Sequence, residues 1–216
     1  MKINRNELLS LVVPTNVKTN VKLFGVNFTQ LCNVVLSESL SNSGFVYEEI
    51  DWNIAEDRNW IYMFSAWENG EFKHVIKIGE TKGSLLIPAK NSIGREYTSY
   101  PQTRLARYTH DLYTSTADNV SRIIKEQLDQ GFEVRCHVVK PDDAFKVLFK
   151  DPLGKLSKDD QGEQVIYRRS CRTASYRARE FDVRTEEGKR IACEAQLLVR
   201  HFLENNGRPL ANKNDC

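Results

Sequence analysis

Tyr62 and Lys77 lie on two short apolar segments joined by Asn69-Gly70, in the stretch WIYMFSAWENGEFKHVIKIGET over residues 60–81. Asn-Gly suits a two-residue type I′ hairpin turn, because both central positions of that turn need positive φ. The turn sets Glu68 against Glu71, and an unbroken register then places Tyr62 opposite Lys77 and Trp60 opposite Gly79. Directly opposed residues have Cβ atoms about 4.5–5.5 Å apart. A phenol and an ammonium that close can share one ligand, and the cation draws the phenol pKa down toward a range where it accepts a proton. Gly79 leaves room for a group to approach the backbone. Phe64 and Val75 share this face, whereas Ile61-Ile78, Met63-Ile76 and Trp67-Phe72 form the other, the expected main core side. The bland alternative has Lys77 in water and Tyr62 covering the sheet edge.

Three other groups of residues have types and spacings suited to chemistry. Arg104 and Tyr108 are four apart in RLARYTHDL, so a helix projects them from one face. Ile191, Ala195, Leu198 and Phe202 form an apolar helical stripe with Glu194 on its flank, roughly 60° from its centre at about 100° per residue. A carboxylate bordering a core needs a partner, which a metal ion or a salt bridge to Arg190 or His201 would supply. The basic run RRSCRTASYRAREFDVR contributes Arg168, Arg169, Arg172, Tyr176, Arg177 and Arg179, and Lys189 and Arg190 follow. Such cations neutralise backbone phosphates, and Tyr176 among them suits stacking on an exposed base. The alternative is a solvated face whose charges pair with neighbouring Asp and Glu.

The elements that must position these residues follow from pattern. After the hairpin, Gly83, Pro88, Gly94 and Pro101 predict a loop over 82–101. A short helix fits RLARYTHDL. DNVSRIIKEQLDQG predicts a longer one, with Val120, Ile123, Ile124 and Leu128 at helical spacing and Gly131 to stop it. FEVRCHVV, residues 132–139, alternates as a third strand. The last helix runs from about 187 to 206, with Gly207 as C-cap and Pro209 forbidding continuation. This order predicts an α+β fold: a small central antiparallel sheet of three core strands flanked by helices. Residues 1–57 read as an N-terminal accessory region with one or two helices, and 58–216 as the main domain with a surface insertion at about 140–186.

Composition narrows the class. The 216 residues are 40% hydrophobic and 28% charged, with a net charge of +2. That is enough apolar material for a core, with no run long enough for a membrane span. No secretory signal is expected at the N-terminus. Five cysteines, at 32, 136, 171, 193 and 216, form no CxxC pair, so reduced thiols in a cytoplasmic setting are expected. Neither they nor the four isolated histidines have zinc-site spacing.

Trp60-Ile-Tyr62 followed by Lys77-Ile-Gly79-Glu-Thr81 resembles the paired strand motifs of the GIY-YIG nuclease superfamily, in its phage-type branch with a KIG second motif. Arg104-Leu-Ala-Arg-Tyr108 resembles the family's first-helix motif carrying the catalytic arginine, with Arg107 a competing candidate and Arg95 a remoter one. Glu194-Ala-Gln-Leu-Leu and Pro209-Leu-Ala-Asn212 resemble the helix and following turn of its repair-type members. The likeness covers roughly 58–139 and 187–213. This chain departs from the pattern in Trp60 for the first glycine, Lys77 for the second tyrosine, and a long loop before Arg104.

The resemblance implies a metal-dependent DNA endonuclease, with Mg²⁺ or Mn²⁺ held by Glu194 as sole protein ligand and Asn212 helping to hold the site. Arg104 would bind phosphate, Tyr62 would be the general base with Lys77 lowering its pKa, and Tyr108 would orient water or bind phosphate. Arg107 joins the basic run as a DNA contact. The expected partner is DNA, with no membrane and with a homodimer where both strands are cut. The expected setting is bacterial cytoplasm, in a phage, restriction, defence or mobile-element context. A non-catalytic DNA-binding protein that keeps the fold is the alternative.

Overall fold

A computed structural model describes residues 19–37, 43–90, 96–99, 103–109, 115–153, 156–169 and 179–212. The fold is α+β, and the described residues form five α-helices around a curled antiparallel sheet. The sheet has six strands. β1 (Val21–Leu23), β2 (Val26–Leu36), β8 (Glu133–Val139), β4 (Trp60–Glu68) and β5 (Glu71–Thr81) follow in that spatial order, and β3 (Phe45–Glu48) pairs with β2 beside β1. The expected three-strand core is therefore the β8-β4-β5 part of a wider sheet. The described part of the N-terminal region adds three strands and one short helix, α1 (Trp52–Glu56). VNFTQLCNVVL lacks one continuous alternation because a β-bulge at Leu31 interrupts it: Val26 and Phe28 face one core, and Cys32 and Val34 face the other.

Asn69 and Gly70 take the expected positive φ, at 54° and 78°. The turn sets Glu68 against Glu71 and Trp67 against Phe72, but two β-bulges in β5 then move the register. Each bulge places one extra residue in β5. Tyr62 therefore faces Gly79, Lys77 faces Phe64, and Trp60 faces Thr81. This corrects the expected Tyr62-Lys77 pairing: a turn fixes register only as far as the first bulge.

Both faces of β4 are buried. Trp60, Tyr62, Phe64 and Ala66 join a core with Val120, Ile123 and Ile124 of α3 (Ser115–Asp129) and Ala106 and Tyr108 of α2 (Ala106–Thr109). Ile61, Met63 and Trp67 face a second core with Ala144 and Leu148 of α4 (Pro141–Leu148) and Cys193 and Leu197 of α5 (Glu186–Asn205). The helix expected from Arg104 is shorter, since α2 begins at Ala106 and residues 110–114 lie outside the described set. Within the expected loop, β6 (Pro88–Lys90) pairs with β7 (Glu96–Ser99). The region read as an insertion holds α4 and a small sheet of β9 (Ser157–Lys158), β10 (Gln164–Arg169) and β11 (Arg179–Asp182).

Thr185 caps α5 by accepting from the Gly188 amide, with Glu186 and Glu187 in the first turn, where the helix dipole favours acids. Its C-cap is Asn206 in the left-handed region, one residue before the expected Gly207. The buried side of α5 centres on Arg190, Cys193, Glu194, Leu197 and His201, whereas Phe202 is half exposed. The expected stripe is thus rotated, and Glu194 sits inside the buried side instead of on its flank. Cys32, Cys136 and Cys193 are free thiols, as expected for them. Among the described residues, no helix is long and apolar enough to cross a membrane.

Candidate active site

The site forms where the end of β5, the turn before α2 and the first half of α5 meet. Tyr62 is fully buried, and its hydroxyl lies 2.8 Å from that of Tyr108. Arg104 donates through Nε to the Tyr62 oxygen at 2.9 Å. One phenol thus joins the two residues expected to share a helix face. Tyr62 fits only because residue 79 is glycine: a Cβ there would lie 2.4 Å from both Cζ and Oη of Tyr62. The space expected over Gly79 is occupied by the protein's own tyrosine.

Burial raises the Tyr62 pKa well above that of an ordinary phenol, and the Arg104 charge only partly opposes it. Burial likewise raises Tyr108. The expected lowering by Lys77 does not operate, because Lys77 faces Phe64. Near neutral pH, Tyr62 is therefore an uncharged phenol that anchors Arg104, not a group poised to take a proton. Arg104 stays cationic, its pKa raised mainly by its proximity to Tyr62. Nε is occupied, while the two terminal nitrogens donate to no described residue.

Arg104 lines a cleft of about 760 Å³, together with Arg58, Glu80, Lys82, Arg107, Glu187 and Arg190 among others. Arg58, Lys82 and Arg104 form no ion pair among the described residues. Elsewhere on the described surface, Lys73, Lys125, Lys140, Arg168, Arg184 and Lys189 each hold an acid within ion-pair distance. Arg58, Lys82 and Arg104 thus bring positive charge to this cleft, where it favours an anion.

Asn212 is fully buried. Its Oδ1 accepts from the Ile78 amide at 2.8 Å and its Nδ2 donates to the Ile78 carbonyl at 2.9 Å. A side-chain amide thereby completes the outer edge of β5 and fastens the 3₁₀ turn Leu210–Asn212 beside the site. Glu194 is 6% exposed, and its charge reaches Tyr108, whose pKa it helps to raise. Neither partner expected for it is committed to it: Arg190 binds Glu80 and Asn59, and His201 Nδ1 lies 2.8 Å from the Gly207 carbonyl oxygen. Among the described residues, no group of three or more His, Cys, Asp or Glu is arranged to hold a metal. A largely hydrated Mg²⁺ needs only one or two carboxylates, and Glu194, beside the core and not among the residues lining the cleft, is the carboxylate that the resemblance assigns to it.

The expected DNA contacts separate. Arg107 lines the cleft and is exposed. Arg190 is 4% exposed and spent on Glu80 and Asn59, so it acts within the protein instead of meeting a ligand. Arg168 pairs with Glu180 and Lys189 with Asp142. Arg169 and Arg179 face each other in the β10-β11 ladder. Arg172, Tyr176 and Arg177 lie outside the described residues, as does Arg95. Sequence reading missed Arg58, Lys82 and above all Glu80, although Glu80 lies within the quoted KIGET motif. Compared with family models, curated proteins and solved structures, the chain matches none.

Proposed function

We propose that this chain is a metal-dependent DNA endonuclease of the GIY-YIG type, acting on a phosphodiester bound at the Arg104 cleft. The observation that carries the reading is the state of Arg104. Its Nε is pinned by a buried phenol, its terminal nitrogens donate to no described residue, and Arg58 and Lys82 stand in the same cleft. A guanidinium held this way can give two parallel hydrogen bonds to a phosphate and stabilise charge that grows on it in the transition state. Further support comes from the antiparallel pairing of the two motif strands and from the meeting of Tyr62, Gly79, Arg104 and Tyr108.

In this reading Arg104 binds the phosphate, Tyr62 and Tyr108 hold Arg104 in place, and Asn212 secures the β5 edge. Glu194 would hold the metal ion, which when bound supplies Lewis-acid stabilisation of phosphate oxygen charge. Incubating supercoiled plasmid with wild type and Glu194→Ala, each with Mg²⁺, Mn²⁺ or EDTA, tests it. Metal-dependent nicking or linearisation that Glu194→Ala lacks is the expected result. Intact plasmid under every metal refutes the nuclease reading. The full burial of Tyr62 favours the second reading, a non-catalytic DNA-binding protein, which would retard DNA in a gel and never cut it.

A further inference from the structure

Hydrolysis at the cleft needs a group that takes a proton from water, and Tyr62 does not serve. It has no exposed surface, and its oxygen is occupied by Arg104 and Tyr108. Two carboxylates line the cleft. Glu187 is exposed in the first turn of α5. Glu80 is nearer the anchored arginine: it follows Gly79, against which the Tyr62 phenol packs, and its charge is felt by Arg104.

Glu80 is also held in a particular way. Its Oε2 accepts from Arg190 Nε at 2.5 Å, and Arg190 Nη1 donates to Asn59 Oδ1 at 2.8 Å. The Arg190 side chain is 5% exposed and that of Glu80 26%. One oxygen of the carboxylate is therefore fixed from behind by a buried arginine. The other, Oε1, accepts no hydrogen bond from a described side chain. A partly exposed carboxylate with one oxygen fixed by a buried arginine, lining the same cleft as a phosphate-binding guanidinium, has the arrangement of a general base.

We propose that Glu80 accepts the proton of the attacking water at this cleft and that Arg190 is its positioning residue, an inference that rests on the phosphodiesterase reading above. Water bound to Oε1 gives its proton to that oxygen while its lone pair forms the new P–O bond. The bond from phosphorus to the leaving oxygen breaks, and its electron pair stays on that oxygen. The leaving oxygen takes a proton from solvent, and Glu80 returns one to it. No oxidation or reduction occurs, and water is the only co-reactant.

The competing role is mechanical, with the Glu80-Arg190 pair doing no more than fasten α5 to β5. Wild type, Glu80→Gln, Glu80→Ala, Arg190→Lys and Arg190→Met of the full chain separate the two roles. Cleavage of supercoiled plasmid with Mg²⁺, affinity for duplex DNA without metal, and Tm are measured for each. Glutamine still offers an oxygen to Arg190, so Glu80→Gln keeps Tm and DNA affinity while cleavage falls about 10²–10⁴-fold. Added formate restores part of the cleavage lost in Glu80→Ala, and Arg190→Lys retains more than Arg190→Met. Glu80→Gln cutting within about threefold of wild type overturns the proposal and leaves the nuclease reading standing. A Glu80→Gln loss matched by lost affinity and lowered Tm, with no formate rescue of Glu80→Ala, assigns the pair to the mechanical role. Wild type that binds DNA but cuts under no divalent metal overturns both readings.

Discussion

Replacing Gly79 with alanine tests the geometry at the heart of the site. The added Cβ would lie 2.4 Å from Cζ and from Oη of Tyr62, whereas ordinary contact begins at 3.4 Å. Neither side yields easily. Gly79 sits in the β4-β5 ladder opposite Tyr62, and the fully buried ring packs edge-on to Phe64 at a centroid distance of 6.2 Å. Overpacking of this kind costs about 1–3 kcal/mol. Moving the phenol away from Arg104 and Tyr108 leaves buried polar groups unpaired, about 1–3 kcal/mol more. Removing a strand glycine returns roughly 0.5–1 kcal/mol. The net loss expected for Gly79→Ala is about 1–5 kcal/mol, read as a lower midpoint in urea unfolding. Gly83→Ala is the control, since a Cβ there meets no atom within 4 Å, and its effect should stay within about 0.5 kcal/mol. In a Tyr62→Leu background the added methyl should cost at least about 1 kcal/mol less, because the ring it strikes is gone. A Gly79→Ala midpoint equal to that of wild type, or an equal penalty in both backgrounds, would refute the reasoning.

Two further expectations concern the frame of the site. Asn212→Ala removes both hydrogen bonds to Ile78 and strands its buried amide and carbonyl, at about 2–4 kcal/mol; faster hydrogen exchange at the Ile78 amide would show it, and unchanged exchange would speak against it. His137 is fully buried and stacked on Trp67, and burial, followed by the Arg135 charge, pushes its pKa down to about 4. The unfolded chain, with a histidine pKa of about 6.5, takes up the proton first. Stability from this residue is therefore fully present above about pH 6.5 and is lost as pH falls toward about 4, by roughly 3 kcal/mol in all. Unfolding free energies measured across that window should fall more steeply for wild type than for His137→Gln, and parallel curves would contradict the assignment.

Much of the framework was readable from local pattern. The Asn69-Gly70 turn, the strand at 133–139 and the helices around 115–129 and 186–205 each have a periodic or turn-chemical signal. β2 was not readable, because a β-bulge at Leu31 switches its apolar side from one face to the other partway along. The hairpin register was misread because nothing in the residue types marks a β-bulge, and two of them moved Lys77 from Tyr62 to Phe64. That slip changed the chemistry: Tyr62 lost its supposed activating cation and became the anchor of Arg104. Arg104, Tyr108 and Gly79 were flagged by type and spacing, but their meeting at one phenolic oxygen depends on how α2 packs on the sheet. Glu80 went unremarked because its orientation depends on Arg190, 110 residues away in sequence. The basic run shows the converse: Arg168 and Lys189 stood out as charges, and the fold gives each an acid.

The most direct test of the account is cleavage of supercoiled plasmid by Arg104→Lys beside wild type, with Mg²⁺ or EDTA, together with gel-shift affinity and Tm. Lysine keeps the charge but supplies neither the Nε contact to Tyr62 nor a planar pair of donors to phosphate. The account expects metal-dependent cutting by wild type and a loss of about 10²–10³-fold in Arg104→Lys, with Tm lowered by no more than a few degrees. Cutting by Arg104→Lys at the wild-type rate, or plasmid left intact by folded, DNA-binding wild type under every divalent metal, would contradict it.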